Sequence, residues 1–281
     1  MITPSKINIS ARESDMVYGV GGNLPPVNLP SGDWTPYIPS FEPQRFIYDT
    51  DECSQLGGVI NPLEMYFNWL KATNQIPPAF MAFLIANKYF DTNGSFSFSE
   101  RFTAILDGTS INGNTPQNGW RCVQKYWLIP RSMLNWTVDD GAQYPNQALM
   151  DTSYYNPAVI TQEMIDLGQK FGSFIKNLGW GWYGGVGTGT TEIPIQSLQT
   201  GLQTSPLALA VSVPQPVSDW NQQLVPYTGG IELEHVVSLY KIDQTNPYPY
   251  FFTDQYEPFQ KQFQVDYFLS VAIAFFVVLS D

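Results

Sequence analysis

A single histidine, His235, is present in the 281-residue chain, and it opens the run His-Val-Val-Ser-Leu-Tyr at 235–240. Imidazole is the usual general base near neutral pH, so any histidine chemistry here passes through this residue. The chain has two cysteines, Cys53 and Cys122, as candidate thiol partners. A thiol is mostly protonated at neutral pH, and an adjacent imidazole can take its proton and stabilise the thiolate. The sequence around Cys53 favours it as the nucleophile, whereas Cys122 sits in an aromatic stretch, 120–127, that predicts a helix with its cysteine turned to the core. The alternative for His235 is a structural role at the head of an apolar strand.

Other site chemistries find little footing. The run Gly185-Val186-Gly187-Thr188-Gly189 lacks the Gly-Lys-Ser/Thr ending of a phosphate-binding loop and does not lie between a strand and a helix. It reads as a loop or hairpin tip. One histidine and two distant cysteines do not make a zinc set. Asp91-Thr92-Asn93-Gly94-Ser95 opens like a calcium loop but has Phe102 where the closing carboxylate belongs, so it reads as a turn. No Gly-x-Ser-x-Gly elbow is present. Neither a cofactor nor a metal is expected.

The elements that must position these residues change along the chain. Residues 1–45 are rich in Gly and Pro and read as an extended lead-in. Asn61-Pro62-Leu63-Glu64 is a helix-start signal, with Leu63, Tyr66, Phe67 and Leu70 as its apolar face. A second apolar stretch covers 78–90, and helices are also expected over 97–106 with a stop at Asp107-Gly108, over 120–127, and over 161–178. From Gly179 onward the pattern turns to Val, Ile, Tyr and Phe runs at 207–213, 235–242, 248–252 and 267–279, divided by turn residues. Helices first and strands later predict an α+β chain, with a helical lobe at 46–190 and a β-rich lobe at 191–281.

The formal charge is −12 with scattered Lys and Arg, and 43% of residues are hydrophobic. That describes a globular chain without the basic patch that nucleic acid requires. The start of the chain lacks signal-peptide blocks. The apolar run 267–279 is about 13 residues long, short of the roughly 20 of a membrane span. A soluble protein is expected, with 267–279 as buried strand rather than membrane anchor.

The order of features from Asp33-Trp34, through Glu42-Pro43-Gln44 and Asp49-Thr50-Asp51-Glu52-Cys53, to Ser97-Phe98-Ser99-Glu100-Arg101-Phe102 and Trp120–Pro130 is distinctive. It continues with Ser205-Pro206-Leu207-Ala208-Leu209, His235-Val236-Val237 and Tyr250-Phe251-Phe252-Thr253-Asp254. This series, over residues 33–260, resembles the papain-like cysteine peptidases, particularly divergent phage members. The resemblance implies a two-lobe architecture, a helical lobe followed by an antiparallel β-rich lobe. It implies Cys53 as nucleophile, His235 as base, Asp254 in the place of the asparagine that orients the imidazole, and Gln44 as an oxyanion-hole donor. The implied reaction cleaves peptide or amide bonds through a Cys53 thioester, on a protein or cell-wall peptide.

Several residues depart from the family pattern. Gln44 lies farther ahead of Cys53 than usual. Gly57, Gly58 and the start signal at Asn61-Pro62 predict a helix beginning well past Cys53, which would deprive the sulfur of the helix N-terminal field. Asp49, Asp51, Glu52, Glu232 and Glu234 would disfavour a thiolate, and Tyr256 stands where the family shields the imidazole with Trp. These departures leave open a catalytically inactive papain-like module, a virion structural or binding protein with other virion proteins as partners. Residence is expected in the cytoplasm or in a phage virion.

Overall fold

The structure, a computed structural model, describes residues 16–18, 27–45, 47–183, 192–230 and 233–280. The Gly-rich run 185–189, Ile231, Glu232 and much of the N-terminal lead-in lie outside them.

The helical run that contains Asn61-Pro62 begins at Cys53. An α-turn, Cys53–Gln55, runs into a π-helical turn, Leu56–Ile60, and on into the α-helix Asn61–Ala72. Pro62 thus sits inside a continuous run. It supplies no N–H, and its ring crowds the carbonyl four residues back. The wider π-turn just before it is the local adjustment that lets the helix continue. The Asn61 side chain caps nothing. Its start signal was overridden by packing, since residues 53–67 are all buried.

The flanking helices follow their local signals more closely. Ser99 accepts from the Phe102 N–H at 3.1 Å to start Glu100–Asp107, and Gly108, at φ 80°, ends it in the left-handed conformation. Thr115 caps Pro116–Tyr126, and Thr161 caps Gln162–Gly172. The last of these helices is shorter than its apolar pattern predicts. It stops at Gly172, and Leu178 belongs instead to a strand, Ile175–Tyr183. Gly179 lies within that strand because the Phe276 ring, 2.3 Å from where a Cβ would stand, occupies its side-chain space.

Among the described residues, eight strands form one sheet: β1 Met16–Tyr18, β2 Ile175–Tyr183, β3 Leu207–Val211, β4 Leu224–Val225, β5 His235–Ile242, β6 Tyr250–Thr253, β7 Gln260–Phe263 and β8 Val271–Leu279. Their order is β1-β2-β8-β3-β5-β6-β7-β4. The β1/β2 and β4/β7 pairs are parallel and the others antiparallel. The chain is α+β. Among the described residues, no helix is long and apolar enough to cross a membrane.

The apolar run near the C-terminus is β8, between β2 and β3. Val271, Ile273, Phe275 and Val277 are buried, and so are Ala272 and Ala274 on the alternate face. Phe275 packs on Tyr66 and Trp120, at ring distances of 5.2 and 4.7 Å, and so joins the sheet to the helices. Around Phe67, the rings of Phe80, Phe96, Phe98 and Phe171 extend the same core among the helices. One core therefore spans helices and sheet.

Phe275→Ala should cost about 3–5 kcal/mol, read as a lowered urea midpoint. A chain lacking 267–281 should show no cooperative unfolding transition, because β2 and β3 would lose the strand between them.

Candidate active site

The helical run places Cys53 at its first residue, and β5 places His235 at its first. Two close approaches bring these ends together. A Cβ on Gly57 would lie 2.2 Å from the Val236 carbonyl oxygen, so only glycine lets the helical turn reach β5. The backbone groups at this contact are satisfied: Ser238 Oγ donates to the Gly57 carbonyl at 2.8 Å. With its amide oriented to suit both neighbours, Gln255 accepts from the Gly57 N–H at 3.1 Å and donates to the Val236 carbonyl at 3.2 Å. Gly57 and Gly58, which in the sequence suggested a late helix start, are contact residues.

The imidazole of His235 lies between the Asp254 carboxylate and the Cys53 thiol. Its Nε2 lies 2.7 Å from Asp254 Oδ1, and Cys53 is its other side-chain partner. With Nε2 engaged by Asp254, Nδ1 is the nitrogen left for the sulfur. Asp254 follows β6, which pairs with β5 through Ser238↔Thr253. It also accepts from the Gln255 N–H at 2.8 Å, from Trp220 Nε1 at 2.7 Å and from Lys261. Burial alone would push the imidazole down, but Asp254, and after it Cys53, hold it up at about 10. Asp254 is itself held below the ordinary carboxylate value: burial opposes this, and the His235 and Lys261 charges outweigh burial.

Cys53, His235 and Asp254 are therefore brought together. Gln44 is brought into the same region, but its Nε2 donates to Asp49 Oδ1 at 2.8 Å, and its Oε1 is buried without a partner. Asp49 Oδ2 accepts from the Tyr256 hydroxyl at 2.6 Å. Tyr256 in turn lies 5.5 Å from the His235 ring. The ring that stands edge-on to the imidazole, at 5.1 Å and 90°, is Trp220. Trp220 was missed because it belongs to a short 3-10 turn, Val217–Asn221, in a Pro-rich loop. Lys261 was missed because 260–263 was not read as a strand. The alternation Gln260-Lys261-Gln262-Phe263 carried the signal, since it sets Lys261 on the same face as the fully buried Phe263.

Cys122 lies apart, its Sγ against the Thr103 carbonyl at 3.7 Å, and burial drives its thiol strongly upward. Two of the acidic neighbours, Glu52 and Asp51, hold their protons more tightly than ordinary carboxyls. Glu52 accepts from Thr50 Oγ1 at 2.8 Å and from Tyr154 at 2.6 Å, and burial raises it well above the carboxylate range. Burial, with the Asp49 and Asp151 charges, lifts Asp51 to about 7. Farther back, Arg131 pairs with Glu42 at 2.5 Å and Glu100 at 3.2 Å.

Neither a protein-family model nor a curated protein sequence matches the chain with significance. Solved structures do. Xylellain, a cysteine protease from Xylella fastidiosa, superposes with a TM-score of 0.58 at 14% identity, over 99% of this chain and 99% of its own. The fold is papain-like. A Carica candamarcensis cysteine protease in complex with E-64 matches at TM-score 0.50 and 14% identity, over 87% of this chain and 96% of its own. The Amb a 11 cysteine protease of ragweed pollen, in its proform, matches at 0.52 and 12%, over 93% and 69%. The two-lobe papain-like architecture accounts for the split between the helices and the sheet.

Two measurements bear on this site. Gly57→Ala should cost about 1–3 kcal/mol in urea denaturation, and it should part Cys53 from His235, seen as a change in the imidazole NMR signals. The second concerns pH. Burial lifts Glu42 and Asp51 to about 7 and Asp107 to about 6, so the folded chain binds these protons more tightly than the unfolded chain. That stability is full below the ordinary values of 4.5 and 3.8 and is lost as pH rises through 6 to 7. His235 adds stability that is full below 6.5 and is lost as pH rises through about 10. Asp254 adds a constant amount above its ordinary value. The Tm measured by calorimetry at constant ionic strength should therefore fall steadily from about pH 5 to pH 9.

Proposed function

We propose that the protein is a cysteine hydrolase that cleaves peptide or amide bonds through a Cys53 thioester. The single observation that carries this reading is the chain of contacts Cys53–His235–Asp254 at the head of the helical run. His235 holds the thiol proton, and the sulfur attacks the scissile carbonyl carbon. The Cys53 N–H precedes the first intrahelical hydrogen bonds, which run from Gln55 and Leu56 to the Glu52 carbonyl, so it is free to meet the oxyanion. Gln44 Nε2 is the second donor once it turns from Asp49. The imidazolium then gives its proton to the leaving amine, and a water activated by His235 releases the acyl group. Substrates of this chemistry are a protein or a cell-wall peptide.

One observation favours a second reading, a papain-like module without activity, as in a virion component or binding protein. Cys53 and His235 are only 3% and 2% exposed, and Asp49 occupies the Gln44 amide. Labelling with E-64, the inhibitor bound by the Carica candamarcensis protease, separates the two readings. The hydrolase reading expects a stoichiometric adduct on Cys53 by mass spectrometry, none on Cys122, and loss of both adduct and peptide hydrolysis in Cys53→Ala. An unlabelled native chain that hydrolyses no casein or cell-wall peptide supports the inactive module.

A further inference from the structure

Lys261 is placed where an apolar residue would be expected. It lies on the inward face of β7 beside Phe263, and its side chain and that of Asp254 are both fully buried. Burial pushes the ammonium down while Asp254 pulls it back, so the pair survives only as a pair. A buried ion pair of this kind adds little to stability over a well-packed apolar side chain. Its charge, however, bears directly on the site. Whether the proton rests on Cys53 or on His235, the three residues Cys53, His235 and Asp254 together carry one net negative charge. With Lys261 included, the buried group is neutral in both states.

The placement of the donors is equally specific. Asp254 Oδ1 takes His235 and the Gln255 N–H, while Oδ2 takes Trp220 and Lys261. The ammonium also lies 5.0 Å from the centre of the Trp220 ring, which stands edge-on to the imidazole. Lys261 therefore fixes the far oxygen and leaves the near one aimed at Nε2. We propose that Lys261 is a positioning residue of the site, clamping Asp254 and offsetting part of its charge so that His235 releases its proton more readily than it would beside an uncompensated carboxylate. On the hydrolase reading, which this role deepens, an uncompensated Asp254 would hold the proton on the imidazole and slow its transfer to the leaving amine.

Among the described residues, four groups face the imidazole, and Glu234 precedes it in the chain. Asp254 and Tyr256 face it from the turn after β6, Cys53 from the helical run, and Trp220 from the 3-10 turn. Asp49 lies behind Tyr256, and the Tyr267 phenol feels Asp254. Of these and Lys261, only Lys261 is a fixed cation.

Because His235 is the sole histidine, its ring can be followed by imidazole 15N NMR without assignment ambiguity. Lys261→Met removes the charge, and Lys261→Gln removes the charge while keeping a donor toward Asp254. In both variants His235 should titrate at higher pH than in the wild-type chain. In Asp254→Asn/Lys261→Met, which removes both charges, it should titrate lower than in Lys261→Met. If Lys261→Met does not fold, Lys261→Gln makes the same comparison. Coincident titration of His235 in the wild-type chain and in the folded Lys261 variants overturns the proposal. A titration that moves in a chain whose Cys53 is not labelled by E-64 keeps the charge role of Lys261 and removes the hydrolase reading.

Discussion

The site depends on one steric constraint, the contact between the helical turn at Gly57 and the backbone of β5 at Val236. Cys53 belongs to the helix and His235 to the strand, so the sulfur meets the imidazole only if two backbones come closer than side chains ordinarily allow. Gly57 makes room, and the Gln255 and Ser238 side chains bond the polar groups that the contact would otherwise bury unpaired. The π-turn Leu56–Ile60 contains this glycine and also precedes Pro62. One short stretch therefore absorbs the proline and receives the strand.

Charge is handled in the same economical way. Three ionisable groups, His235, Asp254 and Lys261, share a water-poor interior, and each has an opposite charge or a directed hydrogen bond. Behind them, Arg131 spreads its guanidinium over Glu42 and Glu100, while Glu64 takes the Phe98 N–H at 2.7 Å. The aromatic rings serve this arrangement by excluding water: Trp220 and Tyr256 flank the imidazole, and Trp220 also bonds to the carboxylate.

Much of this was legible from the sequence where local chemistry decides the outcome. The caps at Ser99 and Thr161, the stop at Gly108 and the buried strand at the end of the chain carried their own signals, and so did the order of Cys53, His235 and Asp254. What was illegible depended on partners distant in sequence. Asn61-Pro62 carries a helix-start signature, yet packing of residues 53–60 extends the helix through it. Ile175–Tyr183 follows a helix without a clear break, and its strand character comes from pairing with β8. Gln44 was readable as an amide near Cys53, but not its capture by Asp49, which lies back against Arg45. Trp220 and Lys261 were hidden for a similar reason, since both acquire meaning only from Asp254.

The position of β8 also orders the assembly of the sheet. β2 and β3 are neighbours of β8 and not of each other, so β2, made roughly ninety residues earlier, waits for the last strand before it can join. During synthesis its Trp180 and Trp182, buried in the finished fold, have no sheet partner on that side. The helices, whose contacts are closer in sequence, can form in the meantime. The interval in which the helical part is formed and the sheet is open is therefore built into the topology, and it is the period when this chain is most exposed to aggregation.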